Sequence, residues 1–125
     1  MISVAVLDVS AKRYEKKITH AAHELVILLS ITRKHVDILL VGDKQMQKNV
    51  LAFPADPGFP RPDLTEPSLG EIHLNPTYIQ AHNEDLLLML THGFLHLLGY
   101  DHENSRDRIV MEKKERELLA KLANF

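Results

Sequence analysis

Three histidines and a glycine near the C-terminus restrict the possible folds more than any other feature of this 125-residue chain. They lie in Thr91-His92-Gly93-Phe94-Leu95-His96-Leu97-Leu98-Gly99-Tyr100-Asp101-His102, at the end of the most apolar run, Leu86 to Leu98. His92 and His96 are four apart, so on a helix their rings share one face about a turn apart, as two ligands of one ion require. On a continuing helix His102 would sit roughly 15 Å along the axis from His92. The helix must therefore end between His96 and His102. Gly99 is where it can, because glycine takes the left-handed conformation of a helix terminus at low cost. Three further residues then fold His102 back over the open face.

Three neutral imidazoles leave a fourth tetrahedral position for water, the pattern of a catalytic rather than a closed structural site. Zinc is the expected ion; nickel, copper and iron also accept imidazole. Cysteine is absent, so thiolate zinc sites, iron–sulfur clusters and cysteine nucleophiles are excluded. The offsets are those of the metzincin protease pattern, in which a glutamate after the first histidine is general base. Here Gly93 holds that place and cannot take a proton. Ordinary metzincin peptide hydrolysis is disfavoured, while hydrolysis of another ester stays open. A glycine inside a helix costs ~1 kcal/mol relative to alanine, so it signals close approach of a backbone or ligand, or helix–strand packing.

The rest of the chain reads as one α+β domain over residues 1–125: a four-stranded mixed sheet covered by helices, with a metzincin-like metal-binding helix. Ile2 to Val6 and His35 to Val41 are expected strands around a helix over 11–31 capped by Ser10, which makes a parallel pair with a right-handed crossover. Asn49 to Phe53 and Leu69 to Leu74 are expected strands, separated by a loop holding five of six prolines. Asn75-Pro76 starts a helix, Asn83 caps the next, and Ser105 caps the last, whose apolar stripe is Val110, Met111, Leu118, Leu119 and Leu122. No stretch approaches the ~20 apolar residues of a membrane span, and the N-terminus lacks a signal-peptide pattern. A cytoplasmic protein without membrane partners is the expectation. A net charge of −2 gives no global basic field, although local patches can still bind nucleic acid.

His92 to His102 resembles the H-G-x-L-H-L-x-G-Y-D-H motif of the YbeY family of bacterial endoribonucleases and rRNA maturation factors. Asn49-Val50-Leu51-Ala52-Phe53-Pro54 is similar to that family's D-V-L-S-F-P strand, and Leu69-Gly70-Glu71-Ile72 to its L-G-D-I strand. The resemblance implies a metal-dependent hydrolase fold, His92, His96 and His102 as metal ligands, and action on single-stranded RNA. It also implies a link to the 3′ end of small-subunit rRNA and, as partners, the small ribosomal subunit or its proteins. The family's longer segment before D-V-L-S-F-P, which carries an arginine, has no counterpart, since Gly42 to Lys48 runs almost directly into Asn49. Lys44 or Lys48 is the available cation, with Lys48 the candidate helper, though lysine lacks the bidentate fork. A noncatalytic, metal-stabilised ribosome-associated factor is the alternative reading, and a metallopeptidase a distant third.

Other charged residues read more plainly. Arg106 and Arg108 follow His102 and could meet a phosphate, against an ordinary solvated helix turn. Lys113, Lys114, Arg116 and Lys121, alternating with Glu112, Glu115 and Glu117, read as a solvated face, as do Lys12, Arg13, Lys16 and Lys17. His20 and His23 are weak candidates for a second metal site. Glu71 and His73 share a strand face and could line the cleft. His35 and His82 read as structural or exposed, and Asp101 either orients an imidazole or caps the turn.

Overall fold

The computed structural model describes residues 1–122. Four strands, β1 (Ile2–Val6), β2 (His35–Leu40), β3 (Val50–Pro54) and β4 (Ser68–Leu74), form one mixed sheet in the order β1-β2-β4-β3. β1 and β2 are parallel, β2 and β4 are parallel, and β3 runs antiparallel to β4 at the edge. Alternation along each strand sends one set of side chains inward. Val4, Ile38, Ile72 and Ala52 thus align across the sheet beneath the helices. The row Ser3, Asp37, Glu71 and Phe53 points to the other face.

The helices are α1 (Glu15–Leu28), α2 (Pro76–Ala81), α3 (Leu86–Leu97) and α4 (Ser105–Leu122). α3 packs on β3 and β4, and α4 covers α3 and α1. Phe94, Leu90 and Leu95 of α3 are fully buried with Ile18 and Leu25 of α1. α3 sits close to the sheet because position 93 has no side chain. A Cβ there would lie 2.9 Å from Ile72 Cγ2, so helix–strand packing accounts for Gly93. None of these helices is long and apolar enough to cross a membrane.

The element types agree with the sequence reading, but several helix starts shift by a few residues. The first helical segment is divided into a 3-10 turn (Val9–Tyr14) and α1. Asp8, not Ser10, caps the turn, accepting from both the Ser10 backbone N–H and hydroxyl. Asp85 rather than Asn83 caps α3, accepting from Leu87 and Leu88 N–H, while Asn83 turns the chain at φ +56°. Asn104 accepts from Asp107 N–H at 2.9 Å and caps α4, which makes Ser105 its first helical residue. In each case the competing residues are all good caps, and packing decides which one stands at the turn. Asn75 caps α2 as expected and is wholly buried; its amide also binds Asp43 and the Met46 carbonyl, pinning the short β2–β3 connection.

Gly70 pairs with Pro54 where β3 meets β4, at φ +137°. A Cβ there would run into the Phe53 carbonyl oxygen, which is backbone and cannot step aside. Gly70→Ala is therefore expected to cost more than ~2 kcal/mol from backbone strain and overpacking. A lowered urea midpoint with an unchanged slope would show it; an unchanged midpoint would contradict the register described.

Candidate metal centre

The predicted chain reversal is present, and its hydrogen bonds show how it is held. α3 ends at Leu97 with Leu98 as its cap, and Gly99 follows at φ +95°. Gly99 N–H donates to the His96 carbonyl at 3.1 Å, and Tyr100 N–H to the Leu95 carbonyl at 3.0 Å. These are the two bonds of a Schellman motif. Tyr100 packs against the core behind the turn, and Asp101 accepts from the His102 backbone N–H at 2.7 Å. Asp101 therefore serves the turn, through backbone rather than an imidazole.

His92, His96 and His102 converge. Their ring centroids lie 4.5, 5.4 and 5.1 Å apart, and one nitrogen from each falls within 4.8 Å of the others. The Nε2 atoms of His92 and His96 are 3.0 Å apart. Nitrogens sharing a tetrahedral zinc are separated by roughly 3.3 Å, so these residues fit a single ion. His92 and His96 are half-buried and His102 is exposed, which leaves one side of the group open. Among the described residues this is the group of three or more such side chains that could hold a metal. His20 and His23 are not part of it.

The histidines open into a cleft of about 560 Å³ between α3 and the edge strand β3. Lys48, Asn49, Ala52, Pro54 and Met89 line its remaining wall. The register shows what β3 presents there. Asn49 accepts from Asn75 N–H and Ala55 N–H donates to Leu69, both toward β4. By alternation the backbone groups of Val50, Ala52 and Pro54 point away from β4, toward the sheet edge. Val50 N–H is taken by the Asn49 side chain at 2.6 Å, and proline has no N–H. Ala52 is left with the outward N–H donor.

The charged residues and remaining histidines fall partly as the sequence leads one to expect and partly not. Lys48 lines the cleft. Lys44 instead lies near Asp8, whose carboxyl is held below its usual range by the Ser10 hydroxyl first, then by Ser10 N–H, with Lys44 a smaller contributor. Glu71 and His73 bond each other at 3.0 Å on the face of the sheet away from the helices, so the cleft does not include them. Glu71 and Asp37 line a separate cavity of about 530 Å³ on that face, walled by the proline-rich loop. His35 is buried against Asp37 at 2.9 Å, and His82 is stacked on Tyr78. Val110 of the expected stripe is exposed, as is Arg106. Arg108 reaches a small cavity on the α4 side that also touches His92 and His102.

Glu115 departs furthest from the sequence expectation. It is 8% exposed, not on a solvated face, and its Oε2 lies 3.5 Å from His92 Nδ1. Burial, and then Glu112, pushes its carboxyl up. The signal was available: Met111, Glu115, Leu118 and Leu122 fall at offsets of four, three and four, one helical stripe.

Burial, and then the neighbouring His96 and His102, lowers the His92 imidazole from 6.5 to about 4. The ring is thus neutral, as a ligand must be, through mildly acidic pH. Between these two values the unfolded chain binds a proton at this position that the folded chain does not, so stability falls as pH drops through the window. Glu115 titrates in the opposite sense, so the comparison must be with a variant. In chelator-treated protein, the melting temperature is expected to fall from pH 7 to pH 4.5 more in the wild type than in His92→Gln. Parallel curves would show that His92 is not held neutral.

The sequence profile of the family described as Endoribonuclease YbeY matches residues 3–123. A protein named Endoribonuclease YbeY from Paenarthrobacter aurescens is 33% identical over 122 residues, 86% of this chain and 76% of that protein. One of the same name from Rhizobium etli is 41% identical over 87 residues, 63% of this chain and 50% of that protein. A solution structure from Thermotoga maritima aligns with a TM-score of 0.52 and 21% identity, covering 99% of this chain and 93% of that one. That last likeness is one of fold.

Proposed function

The chain belongs to the endoribonuclease YbeY family, and from that premise we propose a single-domain, zinc-dependent endoribonuclease for single-stranded RNA. Its substrate in this reading is ribosomal RNA at the 3′ end of the small-subunit species, met on the small ribosomal subunit or its proteins in the cytoplasm. The observation that carries the reading is the composition of the histidine cleft. Its lining contains Lys48 and no carboxylate, which suits an anionic strand and leaves a peptidase without its general base.

His92, His96 and His102 would hold the ion, which when bound supplies Lewis acidity to water and to phosphate oxygens. The chain's own residues supply the rest. Lys48 places a positive charge beside the histidines and steadies charge on a phosphate, as a point charge rather than a fork. Gly93 leaves that stretch of α3 without a side chain, and the Ala52 N–H offers a donor along the opposite wall.

A noncatalytic ribosome-associated factor is the second reading. The short connection pinned by Asn75 favours it, because that connection brings Lys48 and no arginine to the cleft.

Zinc-loaded protein is expected to cleave a labelled single-stranded RNA, while His96→Ala leaves it intact. Lys48→Ala is expected to lower kcat/KM about tenfold, a loss of ~1.4 kcal/mol of transition-state stabilisation. Equal cleavage by His96→Ala would trace the activity to a contaminant. Intact RNA together with retained co-sedimentation with small ribosomal subunits would favour the second reading, and cleavage of casein would revive a peptidase.

A further inference from the structure

A carboxylate in the apolar stripe of a helix needs a polar partner, because burying a charge without one is costly. Glu115 occupies such a place between Met111 and Leu118, at 8% exposure, on α4 where it packs on α3. Its carboxylate lies against the His92 imidazole, Oε2 to Nδ1 at 3.5 Å, with His102 close enough to act on its charge as well. The other nitrogen of that ring is committed elsewhere. His92 Nε2 stands 3.0 Å from His96 Nε2, so both rings turn their ε nitrogens toward the shared centre and His92 turns Nδ1 away from it.

We propose that Glu115 is the positioning residue for His92. Its carboxylate accepts a hydrogen bond from the Nδ1–H, and this fixes the tautomer whose Nε2 lone pair faces the ion. The inference rests on the three-histidine reading above and deepens it. A neutral imidazole has one donor and one acceptor nitrogen, so a ring free to exchange tautomers offers its lone pair to the ion for only part of the time. An acceptor fixed at Nδ1 removes that loss, locks the ring orientation and raises ligand basicity. The separation of 3.5 Å is slightly longer than a hydrogen bond, and a small rotation of either side chain closes it. The acceptor comes from α4, while His92 and His96 come from α3 and His102 from the reversal. The packing of α4 on α3 thereby becomes part of the ligand geometry.

The test uses the full chain and zinc alone, titrated against a chromophoric chelator. Glu115→Leu is expected to weaken zinc binding by about 10- to 100-fold, and Glu115→Gln, which keeps an acceptor oxygen, by less. Nitrogen NMR of the His92 ring supplies a readout that mere packing would not move. In zinc-free wild type, Nδ1 carries the proton; in zinc-free Glu115→Leu the proton is shared between Nδ1 and Nε2 and the two ring-nitrogen signals average. If Glu115→Leu fails to fold, the wild-type tautomer and the Glu115→Gln affinity still decide. Wild-type affinity in Glu115→Gln with Nδ1 unprotonated in the wild type would overturn the assignment. So would a folded Glu115→Leu that binds zinc as the wild type does. A wild-type chain that takes up no zinc would instead remove the three-histidine reading beneath it.

Discussion

The Schellman bonds at the end of α3, Gly99 N–H to His96 and Tyr100 N–H to Leu95, hold the site together. Without them the third imidazole would continue up and away from the first two. Glycine at φ +95° makes the reversal accessible, and Tyr100 against the core keeps it closed. The constraint has two parts: a helix whose face carries two imidazoles and a terminus that ends it within one turn. Neither part makes a site alone.

That terminus is reliable only because α3 is firmly seated. Its apolar side is buried under α1 and α4, and the missing side chain at Gly93 lets it approach Ile72. The sheet thus sets the height of the histidines above β3, and the cleft is the gap that remains. Lys48 and the β3 edge come to that gap because Asn75, buried at the end of β4, ties down the short connection from β2. Fold and site share their contacts here.

Much of this was legible in the sequence, for local reasons. The parallel β1–β2 pair followed from a change of period, and the convergence of His92, His96 and His102 followed from rise per residue and one glycine. Glu115 was not legible by the same route. A glutamate among lysines and arginines reads as solvated unless its register with Met111 and Leu118 is weighed above its charge. Alternation is enough to put Glu71 and His73 on one strand face. Which face looks at the cleft depends on which side the helices cover, and that is tertiary information. The same holds for the helix caps, where neighbouring residues of equal merit are separated only by packing.

An edge strand beside an open cleft carries a hazard, since unpaired backbone invites another strand to zip onto it. β3 is blunted against that guest. Val50 spends its amide on the Asn49 side chain, Pro54 has none, and Ala52 stands alone between them. A second polypeptide would find outward carbonyls but only one of the three N–H donors a ladder needs. A guest that needs a single donor loses nothing by this, so the same border that discourages a strand still serves a ligand of another kind.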